Sequence, residues 1–189
     1  LSSAASDVYK RQLHNPLTGW VLYASMGVDA ADFWAQYDHM YIPELGHNVS
    51  VTDYAHTLYI RASWTDFNPQ EDVYGWKIDS NLRAYIEGAY QRNMRLAFRV
   101  VVDSRDKRTE FTPQFVKDAG AKGFMNKGKW SPYSDDSVFQ KYYTKFVKAL
   151  AKDFNDPSKV EFIDGFGLGK WGEYHTCLLY TSDAADDKA

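Results

Sequence analysis

The sequence RLAFRVVVD at residues 95–103 is a nearly unbroken run of apolar and β-branched residues, and it decides the fold class. Runs of this kind are typical of strands that are buried on both faces of a parallel sheet. Three further runs have the same character, namely GWVLY at 19–23, HTLYIRASW at 56–64 and VEFIDGFGLG at 160–169. Together the four runs predict one parallel sheet of four strands.

Helical patterns lie between the predicted strands. A short helix is expected over 30–37, and apolar residues at helical spacing predict a second helix over 78–92. Thr112-Pro113 has the residue types of an N-cap followed by the first helical position, and it opens a short third helix. The clearest helix begins at 134–136. Its apolar stripe consists of Phe139, Tyr142, Phe146, Val147, Leu150 and Phe154. Alternation of strands and helices indicates βαβ units and an α/β fold.

The composition excludes several classes of protein. The 189 residues include 22 Lys+Arg and 25 Asp+Glu, for a net charge of −3, so there is no basic footprint for a nucleic-acid partner. No apolar run approaches the ~20 residues that a membrane span needs. Aromatic residues make up 16% of the chain, which suits a surface that binds the flat faces of sugars or other apolar, planar partners. The composition leaves the oligomeric state open.

The two ends of the chain differ in character from the middle. Residues 1–12 and 177–189 resemble translated sequencing-adapter read-through, as found at the edges of metagenomic gene predictions, and ordinary disordered termini are the alternative. We expect one domain over residues 13–176. The single cysteine, Cys177, then lies in the tail and receives no role.

The segment GLGKWGEYH at 167–175 is where chemistry is expected. The fourth predicted strand opens into glycines, which permit sharp bends, and then presents Trp171, Glu173 and His175. A carboxylate at a strand end beside an apolar ring is suited to the general-acid role in a glycosidase. A capping or ion-pairing role within a loop is the alternative for Glu173.

Two arginines and a tryptophan are further candidates. Arg61 and Arg99 lie inside the second and third predicted strands, where a guanidinium needs a partner. Arg61 is expected to fix a catalytic carboxylate or to bind a substrate hydroxyl. For Arg99, a functional role and a structural ion pair are equally open. Trp64 follows the second strand and could stack on a sugar ring.

Motifs for metal, cofactor and nucleophile-elbow chemistry are missing from the sequence. The histidines do not have the spacing of metal ligands, and neither G-x-S-x-G nor a glycine-rich phosphate loop follows any predicted strand. We therefore expect neither a metal nor a cofactor.

A resemblance becomes visible around the second strand. The segments YIRASW at 59–64, Asn68-Pro69 and YGWKID at 74–79 resemble the second-strand region of clan A glycoside hydrolases, most closely the family 42 β-galactosidases. In that family a stretch of the form P-x-E-G-x-Y-x-W-x-x-[LI]-D leads into the next helix. The matching residues are Pro69, Glu71, Tyr74, Trp76, Ile78 and Asp79, with Asp72 where Gly is common. Related uncharacterised barrel proteins carry a Trp-Gly-Glu-aromatic-His stretch similar to residues 171–175.

This resemblance implies a (β/α)8 TIM barrel, present here as about four β/α units, from a β-galactosidase-like enzyme that acts on O-glycosidic bonds. It places Glu173 as the acid/base residue and Arg61 as support for a nucleophile on strand seven. The residues expected to bind substrate or support the site are Arg61, Trp64, Asp103, Trp171 and His175. Such a half-barrel is expected to be inactive alone, and bacterial relatives suggest an extracellular or periplasmic location by analogy.

One departure from the family keeps a second interpretation open. Gly172 stands where the family usually has an Asn that holds the sugar 2-hydroxyl. A non-catalytic carbohydrate-binding or scaffold barrel is therefore the alternative function.

Overall fold

The chain folds into alternating strands and helices in a computed structural model. The structure describes residues 19–24, 26–103, 110–126, 128–165, 167–169 and 172–173. In chain order the elements are β1 (Trp20–Tyr23), α1 (Ala30–Asp38), β2 (Met40–Ile42), β3 (His47–Val49), a 3-10 turn (Val51–Asp53), β4 (Ala55–Ser63), α2 (Trp64–Phe67), α3 (Gly75–Ile78), α4 (Ser80–Gln91), β5 (Arg95–Val101), α5 (Gln114–Asp118), β6 (Gly123–Asn126), β7 (Lys129–Pro132), α6 (Ser137–Phe154) and β8 (Val160–Ile163).

The central sheet has four parallel strands in the order β1-β4-β5-β8. Each of the four coincides with one of the apolar runs in the sequence, so the predicted parallel sheet and the α/β class are confirmed. Neighbouring strands in the sheet are also consecutive among the long apolar runs, and a helix lies in each connection between them. The described residues form an open four-stranded sheet rather than a closed barrel.

One face of this sheet packs against the helices. On β4 the alternating residues Leu58 and Ile60 have no exposed surface, and both belong to the main hydrophobic cluster. Phe98 on β5 meets the ring of Phe154 from α6 at 4.8 Å between centroids. Because successive side chains of a strand point to opposite faces, the residues between these core positions belong to the other face.

Side-chain caps fix where the main helices begin. Asp29, Asp79 and Asp136 each accept a hydrogen bond from a backbone N–H in the first turn of α1, α4 and α6. The helix α4 has its C-cap at Arg92, and the next residue, Asn93, has a left-handed backbone (φ 56°). Val147 is exposed, so it lies outside the buried stripe that was predicted for α6.

The structure corrects the sequence predictions between β5 and α6. Pro113 occupies the N-cap position of α5, and the hydroxyl of Thr112 donates instead to Val102 O at 2.9 Å. The same connection contains an antiparallel hairpin, β6–β7, where the sequence predicted only one short helix. A second hairpin, β2–β3, also went unpredicted.

Candidate functional site

A polar cluster lies on the sheet face opposite the helices, at the carboxyl end of the strands. We call it the Arg99 cluster and define it by Tyr59 of β4, Arg99 of β5, and Asp164 and Glu173, which follow β8. Tyr59 pairs with Ala97 across β4 and β5, and Arg61 pairs with Arg99. The period of two along each strand therefore places Tyr59, Arg61 and Arg99 on one face.

Arg99 holds both carboxylates of the cluster. Its Nε donates to Asp164 Oδ2 at 2.6 Å, and its Nη1 donates to Glu173 Oε1 at 3.1 Å. The hydroxyl of Tyr59 donates to the same Asp164 oxygen at 2.7 Å. Asp164 thus fixes one side of the guanidinium, while the other side of the guanidinium reaches Glu173.

Glycines after β8 bring Glu173 to this position. Val102 N donates to Gly167 O at 2.7 Å, which ties the segment after β8 to the end of β5. A Cβ at residue 167 would lie only 2.7 Å from Val100 O, so this close approach requires glycine. Gly169 and Gly172 both have left-handed backbones (φ 81° and 72°), and Gly172 N donates to Gly169 O at 2.9 Å. Glu173 directly follows Gly172.

The electrostatics of the cluster keep the tyrosine neutral and the arginine charged. Burial raises the pKa of the Tyr59 hydroxyl, and its hydrogen bond with the Asp164 carboxylate raises that pKa further. Burial opposes the charge on Arg99, but the hydrogen bond to Asp164 and the negative charges nearby raise the pKa of Arg99 overall. The side chain of Glu173 is 44% exposed, so a ligand can reach its carboxylate.

Arg61, the predicted supporting residue, lies beside the cluster. Its Nη1 donates to the Tyr23 hydroxyl at 3.4 Å, a long hydrogen bond between β4 and β1. Both side chains line a cleft of about 650 Å³ at the carboxyl end of β1, β4 and β5. Other residues that line this cleft are Met26, Ser63, Asp66 and Phe111. Arg99 donates to Glu173, and Arg61 lines this neighbouring cleft.

Trp64 does not face a ligand site. The side chain has no exposed surface and packs among aromatic rings, including Tyr143 at 5.1 Å and Phe146 at 5.8 Å between centroids. Ser63 and Asp66 form a capping box that starts α2 at Trp64 and directs the ring into the core. A ring buried in this way cannot stack on a sugar, so the expectation that Trp64 stacks on substrate is wrong.

Asp103 is also buried, at the end of the segment that follows β5. Its carboxylate accepts a hydrogen bond from the hydroxyl of Ser131 in β7. The contact ties the β6–β7 hairpin to the segment that follows β5. Two other predicted site residues, Trp171 and His175, lie outside the described residues.

Two members of the cluster were missed by sequence reasoning. Asp164 directly follows the apolar run of β8, and an acidic residue at that place was the available signal for a partner to an arginine inside a neighbouring strand. Tyr59 sits two residues before Arg61, which is the spacing of side chains on one face of a strand.

The described residues also bear on metal and membrane binding. No three His, Cys, Asp or Glu side chains among them are grouped so that they could hold a metal ion. Among the helices of the described part of the chain, none combines the length and the apolar character that crossing a bilayer requires.

At this site the chain presents two carboxylates, a guanidinium and a neutral phenol, and together these groups can bind the hydroxyls of a polar ligand. No protein-family model and no curated protein matches the chain.

Proposed function

We propose that the chain is the first half of a (β/α)8 barrel of the glycoside hydrolase type and that it takes part in cleaving O-glycosidic bonds of β-galactoside-like substrates. In this proposal Glu173 is the general acid/base, Arg99 positions it, and Arg61 lines the adjoining part of the sugar site. The proposal takes the partial barrel and the glycosidase family from the sequence resemblance, and it draws its further support from the sheet and the Arg99 cluster.

The strand order supports the barrel part of the proposal. Strands β1, β4, β5 and β8 follow one another across the sheet without a reversal. In a doubly wound sheet, the order in which strands are added reverses at a switch point. In a barrel, each new strand is added on the same side of the previous one. Right-handed connections then place every helix on one face, which agrees with the core on the helix side of the sheet.

The single observation that carries the functional proposal is the meeting of Asp164 and Glu173 at Arg99. In barrel enzymes the active site lies at the carboxyl ends of the strands, where this cluster is found. Glycosidases have there an acid/base carboxylate that exchanges a proton with the glycosidic oxygen, and in this proposal that carboxylate is Glu173, with the nucleophile on strand seven. Glu173 is the more exposed carboxylate of the two, and Asp164 accepts hydrogen bonds from both Arg99 and Tyr59.

A non-catalytic carbohydrate-binding barrel is the second candidate, and Gly172 favours it. The family's Asn side chain is missing at this position, so the hydrogen bond to the sugar 2-hydroxyl is missing with it. The left-handed backbone at Gly172 is one that Asn adopts more readily than other non-glycine residues. The difference from the family therefore concerns the side chain and not the path of the backbone.

The test compares variants of the product of the complete reading frame that contains this chain, assayed on an aryl β-galactoside. Glu173→Gln keeps the shape and the acceptor oxygen but cannot exchange a proton, so we expect turnover to fall by about 10²–10⁴-fold. The matched control is Glu44→Gln in an exposed turn, which should leave turnover unchanged.

Each outcome separates the candidates. Undiminished turnover in Glu173→Gln contradicts the acid/base assignment. Calorimetric binding of the galactoside by wild type, with no release of the aryl group, favours the binding barrel. A lack of both binding and turnover contradicts the two candidates together.

A further inference from the structure

Asp164 is held in the Arg99 cluster by both its backbone and its side chain. Its backbone N–H donates to Phe98 O at 2.8 Å, directly beside Arg99 on β5. Its Oδ2 accepts hydrogen bonds from the hydroxyl of Tyr59 at 2.7 Å and from Arg99 Nε at 2.6 Å. A carboxylate that is anchored to β5 in this way has a fixed place relative to Arg99.

The shape of the arginine side chain links this carboxylate to Glu173. A guanidinium is planar and rigid, and its N–H groups point in fixed directions. The Nε–H of Arg99 is directed at Asp164, whereas Nη1 reaches Glu173 Oε1 at 3.1 Å. Once the Nε–H is aligned with Asp164, the plane of the guanidinium is fixed, and with it the direction of Nη1. The ring of Tyr59, whose centroid lies 5.9 Å from Arg99 Cζ, limits the tilt of that plane.

We propose that Asp164 and Tyr59 are positioning residues, which orient Arg99 so that its Nη1 holds the carboxylate of Glu173 in place. This inference goes beyond the proposed function, which gives Asp164 and Tyr59 no part in the reaction. Its effect on turnover rests on the proposed function, whereas the orientation of Arg99 can be measured in the chain without any substrate.

The same face of the sheet contains a second arginine–carboxylate pair, which serves as the comparison. Arg95 Nη2 donates to Glu161 Oε1 at 3.0 Å, and the hydroxyl of Thr57 donates to the other oxygen of Glu161. Arg95 precedes Arg99 by four residues of β5, so the pair lies about 13 Å toward the amino end of the strand. Loss of Glu161 removes the same types of contact as loss of Asp164, but at a distance from Arg99.

The first test measures how freely the guanidinium of Arg99 rotates, by nitrogen-15 nuclear magnetic resonance of the 189-residue chain. Carboxylates on two edges of the guanidinium should keep its Nη groups in slow exchange in wild type. Asp164→Ala should speed the rotation by about tenfold or more, because it removes a charged hydrogen-bond partner. Glu161→Ala should leave the rate at Arg99 unchanged. Tyr59→Phe loses only the hydroxyl and should have a smaller effect in the same direction as Asp164→Ala.

The rotation rates decide the proposal in either direction. Fast rotation in wild type, or an unchanged rate in Asp164→Ala, overturns it. Equal acceleration by Asp164→Ala and Glu161→Ala also overturns it, since that result indicates a general loosening of the sheet. If Asp164→Ala does not fold, Asp164→Asn takes its place with an expected increase of about threefold, because the amide keeps an acceptor but loses the charge. An unchanged rate in Asp164→Asn then overturns the proposal.

The second test measures turnover of an aryl β-galactoside by the product of the complete reading frame that contains this chain. A misplaced Glu173 carboxylate should impair the chemical step more than binding, so Asp164→Ala should lower kcat by about 10–100-fold and change KM by less than about threefold. Asp164→Asn should recover part of that loss, and Glu161→Ala should keep kcat within about threefold of wild type. An unchanged kcat in Asp164→Ala, or equal losses in the two alanine variants, overturns the proposal.

Combined substitutions test whether Asp164 acts through Arg99. Arg99→Lys replaces the rigid guanidinium with a point charge, which cannot transmit an orientation from Asp164 to Glu173. In the Arg99→Lys background, Asp164→Ala should therefore lower kcat by less than about threefold further, and a full additional loss overturns the proposal. A wild type that turns over no galactoside contradicts the proposed function instead, and the rotation of Arg99 then decides the positioning roles.

Discussion

Asp164 is expected to stabilise the fold as well as the site, and Asp164→Ala tests this directly. The change removes the acceptor for Tyr59 OH at 2.7 Å and for Arg99 Nε at 2.6 Å. Hydrogen bonds to a charged group contribute about 1.5–3 kcal/mol each. The Arg99 and Asp164 side chains are about one-quarter exposed, and Arg99 keeps its contact with Glu173, so the two contributions do not add fully. We expect the free energy of unfolding to fall by about 2–3 kcal/mol.

The measurement is urea unfolding followed by far-UV circular dichroism, with the slope of the transition checked for constancy. Asp164→Asn keeps an oxygen acceptor but loses the charge, so its cost should be about 1 kcal/mol. Asp135→Ala, in an exposed turn, is the control and should stay within about 0.5 kcal/mol of wild type. Tyr59→Phe should cost less in the Asp164→Ala background than in wild type. Equal costs for Asp164→Ala and the control would refute the reasoning.

Three further predictions concern the core. Trp64→Ala should lower the free energy of unfolding by about 3–5 kcal/mol in chemical denaturation, because a fully buried indole leaves a large cavity; a cost under about 1 kcal/mol would show that the ring is not in the core. Gly88→Ala should lower the melting temperature, because the new Cβ would lie 2.1 Å from Trp34 Nε1. The overpacking should destabilise the fold by about 1–3 kcal/mol, which exceeds the gain in helix propensity. A rise in melting temperature would contradict the close contact. Burial, together with the charge of Asp29, raises the pKa of Tyr85 to about 12. The free energy of unfolding should therefore fall by about 2–3 kcal/mol as the pH rises from ~10 to 12, because the buried hydroxyl resists ionisation in the folded state. Tyr85→Phe should flatten this pH dependence, and an unchanged slope in that variant would contradict the cause.

Local patterns were sufficient for the central sheet. Each of the four strands is a run of apolar residues whose burial depends little on its exact partner, so the sequence predicts it without tertiary information. The left-handed residue Asn93 after α4 and the N-cap of α6 at Asp136 were likewise predictable, because capping acts over a few neighbouring residues.

The misses arise where a distant partner decides the outcome. The hydroxyl of Thr112 has a cap's chemistry, but it bonds to Val102 O, ten residues away, and leaves the cap position to Pro113. The β6–β7 hairpin has no strong turn signal and is held to the sheet by the contact of Ser131 with Asp103. The barrel that we propose would likewise depend on contacts with strands beyond the four described.

The candidate site was predictable only in part. Glu173 could be nominated from its place after a strand and two glycines, and the structure places it against Arg99. Which arginine it meets depends on strand register and on the turn at Gly172, which the sequence alone does not fix. For Trp64 the prediction was wrong although the sequence contained a useful signal. Ser63 and Asp66 have the spacing of a capping box, which indicates that a helix starts at Trp64 and directs the ring into the core.

Whether a carbohydrate binds at the Arg99 cluster is tested most directly by a nuclear magnetic resonance titration with methyl β-galactoside. The side-chain Nε–H signal of Arg99 and the backbone amide of Glu173 should shift saturably, while the Nε–H of Arg83 on the exposed face of α4 should not. Both the hydrolase and the binding barrel require this result. Saturable shifts that leave Arg99 and Glu173 unchanged, or no shifts at all, would contradict a carbohydrate site at this cluster.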